Sequence, residues 1–526
     1  MAKVVCLLIA AVLAFSPASA RTLRWASQGD STTMDPHSNN ETFNNNQNNQ
    51  VYEYLSQRDK QYRIVPWLAT SWESPAPNKW LVRLRKDVRF HDGTPLTADD
   101  VVFSFDRARE ANSTFKLYAT QAGTPRRIDD HTVEFTTATP NPVFHESINT
   151  IMIISRAWAE KNGAVKAQDY RGKQETYTVR NAMGTGPYKL VSFEPGVRTR
   201  FAKNPEWWGI KAGLFEGNVD AIEYRPIGNS STRMAALRSG DIDFVLDPPV
   251  QEIDQLRADK SLKVWEGNEV RVIFIGLDQG REELLNGGVK GRNPLKDKRV
   301  RQAMYQAIDI QAIRKQVMRG LSVPTAIALP DPAGAGVDAA LDRRLPFDPP
   351  AAKKLLQESG FGNGFPLGLD CPNDRYINDE KICVAIAAMW SRIGIDTRVN
   401  AVPRAQFFPK LSQLESSAYL YGWGGGSAEA IWTLKPVLHR RGAGGAGDNN
   451  FGRFGDERID KLIDAIEMEM DTKRRHAMVN EAMKLVHDEI VVLPLHRQVI
   501  PWVSRRGVSV VHRPDNNLNP AWVKVD

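Results

Sequence analysis

Residues 90–101 read Phe90-His91-Asp92-Gly93-Thr94-Pro95-Leu96-Thr97-Ala98-Asp99-Asp100-Val101, and they are the most informative part of the chain. The triplet His91-Asp92-Gly93 predicts a turn, because glycine reaches backbone conformations that other residues avoid. Thr97 and Asp100 have the spacing of a capping box, which predicts that a helix begins at Ala98. Apolar residues then recur at helical spacing and extend this helix to about Arg109: Val101, Phe105 and Ala108.

Strand and helix patterns alternate on both sides of this stretch. Alternation of apolar and polar residues predicts a strand from Trp80 to Arg85. Further strands are predicted at Val270 to Leu277, Leu367 to Cys371, Thr397 to Val402 and Ala418 to Gly422. Helices are predicted at Arg299 to Arg319, Asp379 to Ile393, Glu457 to Met468 and Lys473 to Glu489. The mixture predicts an α/β fold with more than one sheet.

The first twenty residues have the pattern of a secretory signal peptide. Lys3 provides a positive start, Val4 to Phe15 is apolar, and Ala18-Ser19-Ala20 fits a cleavage site. The apolar run is shorter than the ~20 residues that a membrane span needs. We therefore expect cleavage after Ala20 and a freely diffusing periplasmic protein that starts at Arg21. Cys6 lies too early in the run to be a lipid-anchored cysteine.

Composition argues against several other classes of function. The 526 residues carry a formal net charge of +7, and no run of Lys and Arg has the length of a nucleic-acid patch. The nine histidines show no metal-ligand spacing, and motifs of serine hydrolases, zinc proteases and phosphate loops are missing. Residues 442–447 match G-x-G-x-x-G, but charged and polar neighbours predict a loop there and not a dinucleotide site. We expect no enzyme activity, no cofactor, no bound metal and no nucleic-acid partner.

Two cysteines, Cys371 and Cys383, remain after signal removal. An oxidising compartment favours their pairing. The alternative is a pair of buried free thiols.

A series of short motifs, in order along nearly the whole mature chain, resembles the family 5 extracellular solute-binding proteins. These are the dipeptide-, oligopeptide- and nickel-binding receptors of ABC importers. No single motif is specific, but their common order is. The matching segments are residues 34–36, 51–55, 66–73, 80–84, 90–101, 184–188, 204–208, 239–243, 299–303, 460–463 and 493–495.

The resemblance implies a bilobed periplasmic-binding-protein fold with two mixed-sheet lobes, a hinge and an extra subdomain in the N-terminal half. Lobe I would comprise residues 21–277 with the inserted subdomain, lobe II residues 278–496, and residues 497–526 would return to lobe I. Two chain crossings near residues 273–277 and 491–496 would form the hinge. Ligand would bind between the lobes and close them. The implied partners are a small ligand and an ABC permease in the inner membrane, and we expect a monomer.

The resemblance also places candidate ligand contacts in lobe II. Arg375, with Tyr376 beside it, lies where dipeptide-binding members hold the peptide carboxylate, and a guanidinium suits that task. The alternative is a surface arginine that caps a loop. A second segment resembles G-W-x-x-D-x-x-D-P of those members, and its candidate contacts are Trp423, Gly424, Gly425, Gly426 and Glu429.

This second segment departs from the pattern at the residue that holds the peptide's ammonium group. Gly426 replaces that Asp, and Glu429 replaces the later one. A buried ammonium group without a carboxylate is costly, so either Glu429 substitutes or the ligand lacks a free amine. We expect an anionic or peptide-like ligand; an opine-like acid, an oligosaccharide, a metal chelate or haem are the alternatives. From lobe I, five residues are expected to close over the ligand: Met34, Thr42, Phe43, Asn44 and Asn45.

Overall fold

A single mixed sheet of eleven strands runs through the protein in a computed structural model that describes residues 20–170, 175–285, 289–424, 429–443 and 445–526. The order across the sheet is Ile395–Val402, Phe365–Pro372, Ala418–Gly424, Leu262–Leu277, Leu493–Arg505, Phe244–Val245, Thr22–Ser27, Ala221–Pro226, Arg198–Lys203 and Tyr188–Glu194, with Ser322–Pro324 beside Leu493–Arg505. Parallel pairs occur on both sides of the antiparallel centre. The predicted α/β class is confirmed.

Two long strands, Leu262–Leu277 and Leu493–Arg505, form the centre of this sheet. They are antiparallel, and their register shifts between Asn268 and Val272. One end of the pair continues into strands of the C-terminal half, and the other end joins strands of the N-terminal half. A bulge of this kind bends a strand locally, and here it lies where the chain passes from one half to the other.

A separate antiparallel sheet lies in the N-terminal half. Its order is Ala69–Ala76, Lys79–Leu84, Thr132–Thr136 and Thr124–Asp129. The helix Ala98–Ala108 packs on it, and the backbone N–H of Thr97 donates to the Asp100 carboxylate at 2.9 Å, as the capping-box spacing predicts. Gly93 has a φ of +90°, which explains the glycine in the turn before it.

Most predicted elements are present, with ends shifted by a few residues. The exception is the single helix expected from Arg299 to Arg319. The structure has a helix at Lys298–Gln306, a break, a short helix at Ile310–Ala312 and a π-helical turn at Ile313–Val317. The Asp309 carboxylate accepts from the Ala312 N–H at 2.9 Å and so caps a new start inside the apolar repeat.

The remaining helices of six or more residues connect the strands. They are Thr42–Asn48, Lys116–Gln121, Arg156–Lys161, Ser230–Ser239, Ile253–Ala258, Pro349–Glu358, Asp379–Ser391, Arg404–Ser412, Glu457–Met468 and Thr472–Asp488. Within the described ranges, no helix has the length and apolar character needed to cross a membrane.

Buried apolar side chains form separate clusters rather than one core. Two clusters are built almost entirely from residues 272–495. A third joins the antiparallel sheet of the N-terminal half to Trp207 and Trp208, and two more surround the first strand and the C-terminal residues. This distribution is what two lobes and a subdomain would produce; the limits at residues 277 and 497 stay predictions.

Candidate functional site

Arg375 lies between the strand Phe365–Pro372 and the helix Asp379–Ser391. The backbone N–H groups of Arg375 and Tyr376 both donate to the Asp379 carboxylate at 3.0 Å, which fixes the loop through its backbone. The guanidinium forms no ion pair with any residue in the described part of the chain. Although the side chain reaches solvent, burial and the neighbouring Arg271 lower the pKa of Arg375. Arg375 is therefore exposed to solvent but lies beside a second positive charge.

Tyr376 lies directly beside the guanidinium of Arg375. Its hydroxyl donates to the carbonyl of Gly422 at 3.1 Å, and its ring covers that glycine so closely that a β-carbon would lie 2.5 Å from the ring. The guanidinium carbons of Arg375 and Arg271 lie 5.3 and 5.8 Å from the ring centroid. The ring thus brings two cationic side chains from distant parts of the chain together.

Arg271 was not among the residues expected from the sequence. It lies on the central strand Leu262–Leu277, within the register shift, and pairs with Gly424 across the ladder. Its Nε donates to Glu269 at 3.0 Å, and Glu269 also accepts from the side-chain amide of Gln498. Glu269 and Arg271 flank Val270 just before an apolar strand segment; these charges are the only sequence signal that could have marked the position.

The second predicted segment begins on the neighbouring strand. Trp423 stacks on Tyr421, with centroids 6.3 Å apart, and its indole N–H donates to the carbonyl of Trp432 at 3.1 Å. At Gly424 a β-carbon would lie 2.4 Å from the carbonyl oxygen of Val270, so the close strand pairing requires glycine there. Gly425 and Gly426 lie outside the described residues.

Glu429 is placed among charged groups of its own chain. Its carboxylate lies 3.6 Å from the guanidinium of Arg475 and 3.7 Å from the imidazole of His145, which belongs to the N-terminal half. Burial raises the pKa of Glu429, and Arg475 opposes that rise. These neighbours make Glu429 a contact between the two halves of the molecule.

Of the five residues expected to close over a ligand from lobe I, four begin the helix Thr42–Asn48, and their role at a ligand stays a prediction. Met34 is fully buried in the cluster around the first strand. Asn44 accepts from Ser31 and Thr32 and so fixes a loop. Asn45 donates to Asn40, Phe43 packs against Gly29, and Thr42 is exposed. In this conformation Met34 and Asn44 offer a ligand almost no surface, because core packing and loop bonds occupy them.

The two cysteines meet in the structure. Cys371 is the penultimate residue of the strand Phe365–Pro372, Cys383 lies in the helix Asp379–Ser391, and their sulfur atoms are bonded, with α-carbons 6.7 Å apart. The bridge would tie together the strand and helix that flank Arg375. Its formation in the exported protein remains a prediction.

Comparisons with known proteins give the same family as the motifs. The model described as bacterial extracellular solute-binding proteins, family 5 Middle, matches residues 63–445. Heme-binding protein A of Haemophilus influenzae is 26% identical over 489 residues, covering 87% of this chain and 83% of that protein. The dipeptide-binding protein of Escherichia coli is 25% identical over 471 residues, with coverages of 85% and 83%.

Solved structures extend the likeness to the fold. HbpA2 from Haemophilus parasuis aligns over 96% of this chain and 100% of its own, with a TM-score of 0.79 and 22% sequence identity. The expected bilobed fold of periplasmic binding proteins is therefore confirmed. With a family model over most of its length, this chain belongs to the family 5 extracellular solute-binding proteins, whose members serve as binding receptors of ABC importers.

Proposed function

We propose that this protein is a periplasmic receptor that captures a small acidic solute beside Arg375 and delivers it to an ABC permease in the inner membrane. Family membership supports the receptor role, and the signal-like N-terminus supports export. The observation that carries the choice of solute is the guanidinium of Arg375, which forms no ion pair among the described residues and lies 5.3 Å from the centroid of the Tyr376 ring.

An acidic ligand follows from the physical chemistry of this guanidinium. Arginine stays charged in proteins, so its desolvation is offset only by an anion or strong acceptors. A carboxylate can receive two parallel hydrogen bonds from it. Tyr376 supplies an apolar and aromatic wall beside the charge.

The ligand's other end is expected to lack a gripped α-amine. Position 426 carries no carboxylate, and the Glu429 carboxylate already lies near Arg475. An ammonium group at Glu429 would also face the positive charge of that arginine. A peptide-like solute with a blocked or absent amine, or an opine-like acid, fits these groups better than a free dipeptide. We also expect no catalysis, since the site serves capture and release.

Calorimetric titration of the mature protein tests this proposal. The panel contains free dipeptides, N-acetylated dipeptides and amine-free organic acids. Arg375→Ala should weaken binding of any acid that the wild type binds by about a hundredfold, because the anion would be buried unpaired. Arg392→Ala is the matched control: Arg392 is exposed at the far end of the helix Asp379–Ser391, about 20 Å from the Arg375 end.

Two outcomes would contradict the proposal. Tight binding of free dipeptides that Arg375→Ala leaves undiminished would show that the solute is held elsewhere. Turnover of a panel compound by the purified protein would show that the receptor role is incomplete.

A further inference from the structure

We propose that Arg271 is a second ligand-binding residue and that it forms, together with Arg375, a clamp of two guanidinium groups around one acidic group of the solute. This inference rests on the proposed receptor function and adds the residue that would set its preference for acids. Nothing in the motifs points to Arg271; its position comes from the sheet.

Two arginine side chains lie near the ring of Tyr376. The guanidinium carbons of Arg271 and Arg375 lie 5.8 and 5.3 Å from the centroid of the same ring. Each arginine comes from a different element, one from the central strand and one from the loop after Phe365–Pro372. Glu269 offsets the charge of Arg271 only in part of its guanidinium, through Nε, and Arg271 still lowers the pKa of Arg375, so an anion that reached both arginines would be favoured.

Arg271 retains hydrogen-bonding capacity within the described part of the chain. Its Nε is used by Glu269 at 3.0 Å. Its two terminal nitrogens donate to no group within the described ranges, and the side chain is mostly buried, with 16% exposed. A buried guanidinium normally has its donors satisfied, so this free edge is suited to a ligand's oxygen atoms.

A hydrogen-bond network through Glu269 and Gln498 holds the side chain of Arg271. Glu269 holds its Nε, and the side-chain amide of Gln498 holds Glu269. The carbonyl oxygen of that same Gln498 amide accepts from the backbone N–H of Ile377 at 3.2 Å, two residues after Arg375. One connected network therefore links the side chain of Arg271 to the backbone of the loop that carries Arg375, and the Tyr376 ring lies near both guanidinium groups.

The carboxylates of the adjoining loop do not pair with the guanidinium groups of Arg271 and Arg375. Asp379 accepts from the backbone N–H groups of Arg375 and Tyr376, and Asp374 accepts from the backbone N–H of Arg404 at 2.6 Å. Both are used by main-chain donors. Arg271 already pairs with Glu269 through its Nε, so its terminal nitrogens and the guanidinium of Arg375 are the donors left for an acidic group of the solute.

The test uses sulfate as a minimal oxyanion and follows the arginine Nε–H signals of the mature protein by NMR at constant ionic strength. Sulfate should shift the signals of Arg271 and Arg375 with a common dissociation constant. Arg375→Gln should weaken the sulfate response of Arg271 by about tenfold to a hundredfold, because one guanidinium of the clamp is lost. Arg392→Gln should leave both responses unchanged.

The effect of replacing Arg271 on sulfate binding is measured in a variant that also lacks the charge of Glu269. Arg271→Gln would leave Glu269 buried without its cation, so the double variant Glu269→Gln/Arg271→Gln is compared with Glu269→Gln alone. The double variant should weaken sulfate binding at Arg375 by the same factor of about tenfold to a hundredfold.

The outcomes separate the clamp from the receptor role. If sulfate shifts Arg375 alone, or neither arginine, the clamp is wrong. If Arg375→Ala abolishes binding of a panel acid while the double variant binds it as Glu269→Gln does, the receptor role stands and the clamp is again wrong. If no panel compound depends on Arg375 but sulfate still couples the two arginines, the clamp stands and the proposed solute class is wrong.

Discussion

At the scale of a single residue, Glu53 is a buried acidic side chain of the N-terminal half that is surrounded by hydrogen-bond donors. Its carboxyl oxygens accept from the indole N–H groups of Trp67, Trp207 and Trp208 and from the hydroxyl of Thr185, at 2.7 to 3.1 Å. Burial raises the pKa of Glu53 to about 7, and these donors oppose the rise. The folded protein therefore holds this proton more tightly than an unfolded chain, in which Glu titrates near ~4.3.

The pH dependence of stability tests this description of Glu53. Because the folded pKa is raised, the residue's contribution to stability should be lost as the pH rises from about 4.3 to about 7. Glu53→Gln removes the titrating group. The free energy of unfolding of the wild type minus that of the variant should thus decrease by on the order of 2 kcal/mol between about pH 5 and about pH 8. Urea unfolding at a series of pH values measures this, with the exposed Glu206→Gln as the surface control. A difference that stays constant with pH would contradict it.

Individual residues also show where sequence reasoning ends. The position of Arg375 between a strand and a helix could be predicted because both elements have recognisable patterns, whereas its role at a ligand stays a prediction. Arg271 could not be predicted, since its place beside Tyr376 depends on the pairing of Leu262–Leu277 with Ala418–Gly424, strands that are distant in the chain. Met34, expected at the ligand, is fully buried in this structure, and an apolar residue in a short motif has the same pattern in a core as in a site, so its role at a ligand stays a prediction.

At the scale of elements, the strand Phe365–Pro372 and the helix Asp379–Ser391 form the unit that carries Arg375. The bond between Cys371 and Cys383 closes a loop with a sequence separation of 12 residues around that arginine. A bridge of this kind limits how far the strand end and the helix start can move apart. It therefore restrains the loop that carries Arg375.

Thiol chemistry tests the bridge in the exported protein. Labelling of the unreduced, denatured mature chain should find no free thiol, and reduction should expose two, Cys371 and Cys383. The double variant Cys371→Ser/Cys383→Ser should lose about 3 kcal/mol of stability or less, because the closed loop is short. Two reactive thiols before reduction would show that the alternative of buried free cysteines is correct.

Helices and strands were predicted best where one periodicity dominates. The strand at Ala418–Gly424 and the helix at Glu457–Met468 were recovered almost to their ends. The region from Arg299 to Arg319 was wrong as one helix, since its apolar repeat continues through a break that Asp309 creates by capping a new turn. A local polar bond overrides periodicity there.

At the scale of the whole molecule, the two halves meet at several points besides the central strands. Val143 of the N-terminal half packs into a C-terminal cluster, His145 lies 3.7 Å from Glu429, and the rings of Tyr118 and Trp432 are 6.2 Å apart. These contacts join the two halves outside the central sheet. The alternation of strand and helix patterns predicted the α/β class, but the eleven-stranded sheet that spans both halves depends on long-range pairing that no local pattern contains.

Native mass spectrometry of the protein isolated from its own periplasm tests the central claim, capture of an acidic solute by Arg375. We expect the wild-type protein to carry a bound small acid. Arg375→Ala, isolated in the same way, should lack this acid, and Arg392→Ala should retain it. A solute bound to Arg375→Ala at the wild-type occupancy, or a wild-type protein that is empty under every growth condition, would contradict the account.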